Sequence, residues 1–126
     1  MTKILVVVED DADIRFLIKL TLRADARLEV TGEAATAEDA IRIAQSEEPG
    51  LIILDHYIEG TVMGLDAVPA LKEAAPMAKI LLFSSHDLSA EVARQPLVDA
   101  FLRKDQLDAL LPTVQSLLEL LPVQSY

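Results

Sequence analysis

Lys3–Leu17 reads KILVVVEDDADIRFL, and this stretch decides the fold. Five consecutive aliphatic residues, Ile4 to Val8, run directly into three acids, Glu9, Asp10 and Asp11. An unbroken apolar run of this length suits a strand buried on both faces, as in a parallel sheet. The acids would repel one another unless a cation stands among them. Beyond them Ile14, Leu17, Ile18, Thr21 and Leu22 keep the spacing of an amphipathic helix, and the acids favour its start. The unit is strand, acidic turn, helix.

Working outward, four more aliphatic runs follow: Leu28–Thr31, Leu51–Leu54, Ile80–Phe83 and Ala100–Leu102. Helical segments separate them. Thr36 can cap Ala37–Ser46, with Asp39 in a loose capping box. Leu65–Ala75 is expected to carry Pro69 near its start, where proline is tolerated, with Pro76 beyond its end. Ser89–Gln95 is a short candidate. The last helix aligns Leu107, Leu110, Leu111, Val114, Leu117, Leu118 and Leu121, and Pro112 should kink or restart it. Alternation of this kind predicts an α/β fold with a parallel five-stranded sheet and helices on both sides, joined by right-handed crossovers. One domain is expected over residues 1–126, with its core at about 3–121.

Composition agrees. An apolar share of 52% and a mean hydropathy of +0.32 suit a filled aliphatic core. No cysteine is present, which removes disulfides, thiolate catalysis and Cys-ligated zinc, and fits a cytoplasmic setting. No apolar run is long enough for a membrane span, and no signal-peptide pattern opens the chain. A formal charge of −10 argues against a nucleic-acid partner, which would need clustered Lys and Arg.

Ligands of such sheets sit beyond the carboxyl ends of the strands, so the residues after each run carry the chemistry. These are Glu9 and Asp10, then Asp55, then Ser84 and Ser85, then Lys104. The three carboxylates can hold a hard cation through oxygen; Mg²⁺ fits, and Mn²⁺ is an acceptable substitute. Such a cation would offset the repulsion among the acids. Lys104 adds positive charge for phosphoryl oxygens, and Ser84 can donate to them. Asp55, alone at its strand end, is left as a carboxylate nucleophile able to form an acyl phosphate.

These motifs, ILVVVEDDADIR, PGLIILD, ILLFSS and FLRKD, resemble in order and spacing those of a response-regulator receiver domain, the phospho-accepting module of two-component signalling. The similarity runs from Lys3 to about Leu121. It implies a flavodoxin-like (βα)5 three-layer sandwich with strand order 2-1-3-4-5. It implies Glu9 and Asp10 as the acidic metal pair, Asp55 as the phosphorylation site, and the Tyr57 backbone carbonyl as a further metal ligand. Ser84 matches the switch hydroxyl, Lys104 the lysine of the family pattern, and Phe101 the aromatic that swings inward with the hydroxyl. Small Ser85 would keep the approach to Asp55 open. Tyr57 and His86 match positions that flank the route of the hydrolytic water, where they could lengthen the phosphoryl lifetime. The chain departs from the family pattern at Glu59 and Asp105, where proline is usual, and at Gly64, one residue later than usual. The stretch from Ser84 to Lys104 is also short.

The implied partner is a histidine kinase or histidine phosphotransfer protein, with a downstream protein target. Phe16 and Leu20, opposite the buried stripe of the first helix, are docking candidates; Leu120 and Val123 raise self-association, as a monomer or weak homodimer. With no output domain in the sequence, and with Met1 and PVQSY reading as natural ends, a stand-alone regulator or relay intermediate is expected. The alternative is a receiver-like interaction module that needs no phosphate. A phosphohydrolase is disfavoured, because EDD lacks an Asp-x-Asp pair and no cap domain is present. A dinucleotide binder is disfavoured because no glycine-rich turn follows the first strand. The two histidines, His56 and His86, lack ligand spacing and are expected at the surface or rim.

Overall fold

The computed structural model describes the backbone of residues 3–121 and the side chains from Val8 onward within that span. Strand β1 (Lys3–Val8) leads into helix α1 (Ala12–Leu22), then β2 (Leu28–Ala34) and α2 (Ala37–Glu47). β3 (Leu51–Leu54), α3 (Gly64–Ala74), β4 (Lys79–Ser84) and the five-residue α4 (Ser89–Ala93) follow. β5 (Ala100–Arg103), a 3-10 segment (Lys104–Ala109) and α5 (Leu110–Leu117) are the last elements among the described residues. The strands form one sheet in the order β2-β1-β3-β4-β5, and every pairing is parallel.

The unbroken apolar runs are explained by two cores, one on each face of the sheet. Along β3, Ile52 and Leu54 face α2 and α3, whereas Leu51 and Ile53 face α1 and α5. On β4, Ile80 and Leu82 join the first set, and Leu81 and Phe83 the second. Since a strand sends successive side chains to opposite faces, a strand covered on both sides must be apolar at every position. All four residues of β3 are buried.

Local chemistry sets the helix ends. Asp11 is the N-cap of α1, its carboxylate accepting from the Asp13 and Ile14 amides. Thr36 caps α2 by accepting from Asp39 N–H. The expectation for Pro112 holds, and those for Pro69 and Leu17 are corrected. Pro69 lies inside α3, beyond its first turn. Pro112 falls in the first turn of α5, where its missing N–H has no helical partner to lose, so the helix restarts there. Leu17, expected on the buried stripe of α1, is 42% exposed, and Ile18 and Leu22 carry the contact instead.

β2 runs three residues past its expected end at Thr31. Its register against β1 shifts where Leu5 pairs with Val30 and Val6 with Gly32, leaving Thr31 as the extra residue of a bulge. The Thr-Gly pair that looks like a strand end is the bulge.

A buried polar clasp joins the α1–β2 turn to α5. The Asp25 carboxylate, 1% exposed, accepts from Arg27 Nε at 2.9 Å and a terminal Arg27 nitrogen at 2.7 Å. Gln115 Nε2 donates to it at 3.0 Å, and Arg27 also reaches the Leu121 carbonyl at 2.5 Å. The Arg27 hydrogen bonds outweigh burial and hold the Asp25 carboxyl well below the usual carboxylate range. Its contribution to stability is therefore full above the ordinary value of 3.8 and is lost as pH falls through the lower folded value. We expect Asp25→Asn to lower the unfolding free energy by about 2 kcal/mol near neutral pH, since charge-assisted hydrogen bonds are lost. Urea titrations should show the gap between wild type and variant constant above about pH 5 and narrowing from there to about pH 2. A gap that stays constant would rule out the charged clasp.

Candidate functional site

Parallel strands in register bring their carboxyl ends to one rim. Val8 pairs with Leu54, and Ser84 with Arg103. The two acids that follow β1 and β3 stay on the backbone ladder: Asp55 N–H donates to the Val8 carbonyl at 3.0 Å and Glu9 N–H to the Ala34 carbonyl at 2.9 Å. Each acid is thus fixed one residue beyond its strand, and both are buried, Glu9 at 1% and Asp55 at 5% exposure.

Lys104, immediately after β5, turns back over this pair. Its Nζ donates to Asp55 Oδ2 at 2.8 Å and forms an ion pair with Glu9 Oε1. Here is the cation that the acidic run demands. Burial pushes the Glu9 carboxyl up, and the Lys104 contact only partly offsets it; the neighbouring Asp55 and Asp10 add to the rise. Burial alone would lower the Lys104 ammonium, but its hydrogen bonds and charge attraction to Asp55 and Glu9 raise it. The contact to Glu9 Oε1 is one of charge rather than alignment, for that buried oxygen has no well-directed hydrogen-bond partner among the described residues.

Further groups hold the acids. His56 N–H donates to Asp55 Oδ1 at 2.7 Å, and Asp11 N–H to Glu9 Oε2 at 3.3 Å. Arg15, on the first turns of α1, donates to the Glu9 carbonyl at 2.6 Å and pairs with Glu33. The sequence reading missed Arg15; its place one turn after the capping Asp11 was the available signal.

The other candidates occupy different depths. Ser84 is fully buried, its hydroxyl accepting from His86 N–H at 3.4 Å. Phe101 is partly buried against the α2–α3 core. Asp10, Ser85 and His86 are exposed at the rim. Tyr57, 45% exposed, places its ring 4.5 Å from that of His86 and 4.8 Å from that of His56. Phe16 and Leu20 are exposed on α1, away from its buried stripe. Leu120 packs against the α1–α5 core, which counts against it as a free association surface; Val123 lies outside the described residues.

Among the described residues no three acidic or imidazole side chains stand together at metal-ligand spacing. The donor set still fits a hard divalent cation. Glu9, Asp10 and Asp55 offer only oxygen, two of them are buried, and Glu9 Oε1 lacks a directed partner.

The family model for the response regulator receiver domain matches residues 5–115. The chain belongs to this family. Among curated relatives, it is 29% identical over 103 residues to the nitrate/nitrite response regulator protein NarL of Escherichia coli K12, covering 80% of the chain and 47% of NarL. It is 32% identical over 94 residues to the response regulator protein VraR of Staphylococcus aureus, covering 75% of the chain and 44% of VraR. The chain therefore spans about half the length of the curated relatives it matches. The solved response regulator domain of Thermotoga maritima CheB superimposes with a TM-score of 0.83 at 18% identity, covering 97% of this chain and all of that one. The receiver domain of a NarL regulator from Mycobacterium tuberculosis gives 0.83 at 23% identity, covering 94% and 97%. Both likenesses bear on the fold alone. Receivers of this family generally bind Mg²⁺.

Two glycines shape the loop after Asp55. A Cβ on Gly64 would lie 2.0 Å from the Asp55 carbonyl oxygen, so the start of α3 can approach the site only without a side chain. Gly60 has room for a Cβ but holds φ at +96°, which other residues adopt only under strain. We expect Gly64→Ala to cost about 3 kcal/mol and Gly60→Ala about 1 kcal/mol, because only the first forces backbone apart. Denaturant titration checks the ranking, and an equal or reversed order would contradict the close approach.

Proposed function

We propose that this chain is the phospho-accepting receiver of a two-component or phosphorelay system, a single domain over residues 1–126 with its core at about 3–121. Asp55 would take a phosphoryl group from a phosphohistidine of a histidine kinase or histidine phosphotransfer protein. The observation that carries this reading is the Lys104 ammonium shared by buried Asp55 and Glu9, three residues distant in sequence and joined at one rim.

In the transfer, an Asp55 carboxylate oxygen forms the new bond to phosphorus while the bond from phosphorus to the donor imidazole nitrogen breaks. The imidazole leaves with that electron pair. Developing charge on the phosphoryl oxygens falls beside Lys104, already held by its two carboxylates and therefore pre-positioned. Glu9, Asp10, Asp55 and the Tyr57 carbonyl would hold Mg²⁺, which when bound supplies further neutralisation of phosphoryl charge. Ser84 would turn its hydroxyl from accepting His86 N–H to donating to the phosphoryl group, with Phe101 following inward. A phosphorylated population would then present altered protein contacts. The chain is on this reading a phospho-acceptor that assists its own phosphotransfer and dephosphorylation, acting in the cytoplasm.

Incubation with Mg²⁺ and phosphoramidate, followed by intact mass, tests this. Wild type should gain one phosphoryl group, dependent on Mg²⁺, and Asp55→Asn should gain none. A folded wild type that gains nothing would favour the phosphate-independent interaction module.

The Tyr57 and His86 rings, tilted by 53° against each other across the two loops flanking Asp55, support a screen against water. The double variant Tyr57→Asn, His86→Glu should shorten the phosphoryl lifetime about tenfold, a barrier change of about 1.4 kcal/mol. An unchanged dephosphorylation rate would sink the screening role.

A further inference from the structure

We infer that His56 is a positioning residue for Asp55, because its imidazole caps α3 from outside the helix and so clamps the loop that carries the reactive carboxylate. The inference deepens the proposed function and rests on Asp55 being the acceptor.

A helix start leaves backbone N–H groups without partners, and Ser, Thr, Asp or Asn usually meets one of them. At α3 the N-cap is Met63, whose side chain, at best a weak acceptor, makes no cap hydrogen bond. His56 takes that part from eight residues upstream of the helix start. Its Nδ1 accepts from Leu65 N–H at 3.1 Å, and its carbonyl accepts from Gly64 N–H at 2.8 Å. Its own N–H donates to Asp55 Oδ1 at 2.7 Å.

One residue thus grips the helix through ring and carbonyl and grips the acid through its amide. The clamp has little slack: Gly64 sits so close to the Asp55 carbonyl that a single methyl would not fit. The ring is further steadied edge-on against Tyr57, at an interplanar angle of 77°. An Asp55 oxygen held by the His56 amide, with the other held by Lys104, leaves the carboxylate little freedom to rotate. Fixing a nucleophile in this way matters to rate, since small misplacements of a reacting group are costly.

His56→Ala removes the ring acceptor and keeps the backbone. His56→Asn restores an acceptor, because Asn Oδ1 lies as many bonds from the main chain as His Nδ1 does. All three full-length proteins are compared in two ways, well below their unfolding midpoints. The first is the initial rate of phosphorylation by phosphoramidate with Mg²⁺; the second is amide hydrogen exchange at Leu65.

We expect His56→Ala to slow phosphorylation about tenfold and to speed Leu65 exchange about tenfold, with His56→Asn recovering both to within about threefold. A His56→Ala protein that phosphorylates at the wild-type rate overturns the role. So does a rate loss that leaves Leu65 protection unchanged, since the helix cap would then not be the cause. A merely structural histidine would lower thermal stability and leave the rate below the midpoint intact. A wild type that takes no phosphoryl group fails differently: it overturns the acceptor reading and this role with it, while the exchange data alone still report whether His56 caps α3.

Discussion

The ammonium of Lys104 between two buried carboxylates is the interaction on which the rest of this structure turns. Burying Glu9 and Asp55 side by side without a cation would cost several kcal/mol per charge. Lys104 lies 49 residues from Asp55 and reaches it only because β5 pairs with β4, and β4 with β3. The ammonium meets the two acids only when β1, β3, β4 and β5 are assembled, so the site cannot exist as a local motif. In return the sheet carries at its rim a pair of acids that burial disfavours, with Glu9 pushed up despite its partner. Such local discord at an otherwise consistent fold is where function is expected.

The loop from Asp55 to α3 shows how a departure in sequence is absorbed without moving the chemistry. It is one residue longer than the family pattern and lacks the usual proline. Gly60 takes up a left-handed turn, and Glu59 bridges back to Thr36 beside the start of α2. The chain then returns so closely that Gly64 abuts the Asp55 carbonyl. The helix start thus still reaches the acid.

The fold class was legible because parallel strands buried on both faces leave a signal no single-faced strand gives: unbroken runs such as LIIL, with helical spacing between them. The acids, Ser84 and Lys104 were legible because they follow those runs directly. What was hidden depends on distance or on backbone shape. The Thr31-Gly32 bulge reads as a strand end, since β pattern and turn residues meet there. The Asp25–Arg27–Gln115 clasp joins residues 90 apart, and a lone acid in a turn gives no sign of burial. His56 looked like a rim histidine because capping normally comes from the residue before the helix, not from eight positions upstream of its start. Pro69 was misread for a simpler reason: even counted from the expected start at Leu65 it is the fifth residue, already past the first turn.

Base and rim of the site differ in what can move. Glu9, Asp55 and Ser84 are buried and tied to strand ends, so displacing them means breaking the sheet. Above them stand exposed Tyr57, Ser85 and His86, and then α4, five residues long with none buried. A helix anchored to the core through partly buried Val92 is held less firmly than the longer helices, because helical stability in proteins comes mostly from packing. Any change of charge at Asp55 therefore meets a rigid floor and a loose roof. Ser84 spans the two: its backbone belongs to β4, while its hydroxyl accepts from the His86 amide in the loop beyond. On the proposed function, a hydroxyl drawn toward Asp55 would release that amide and carry the change into the loop and α4 rather than into the sheet.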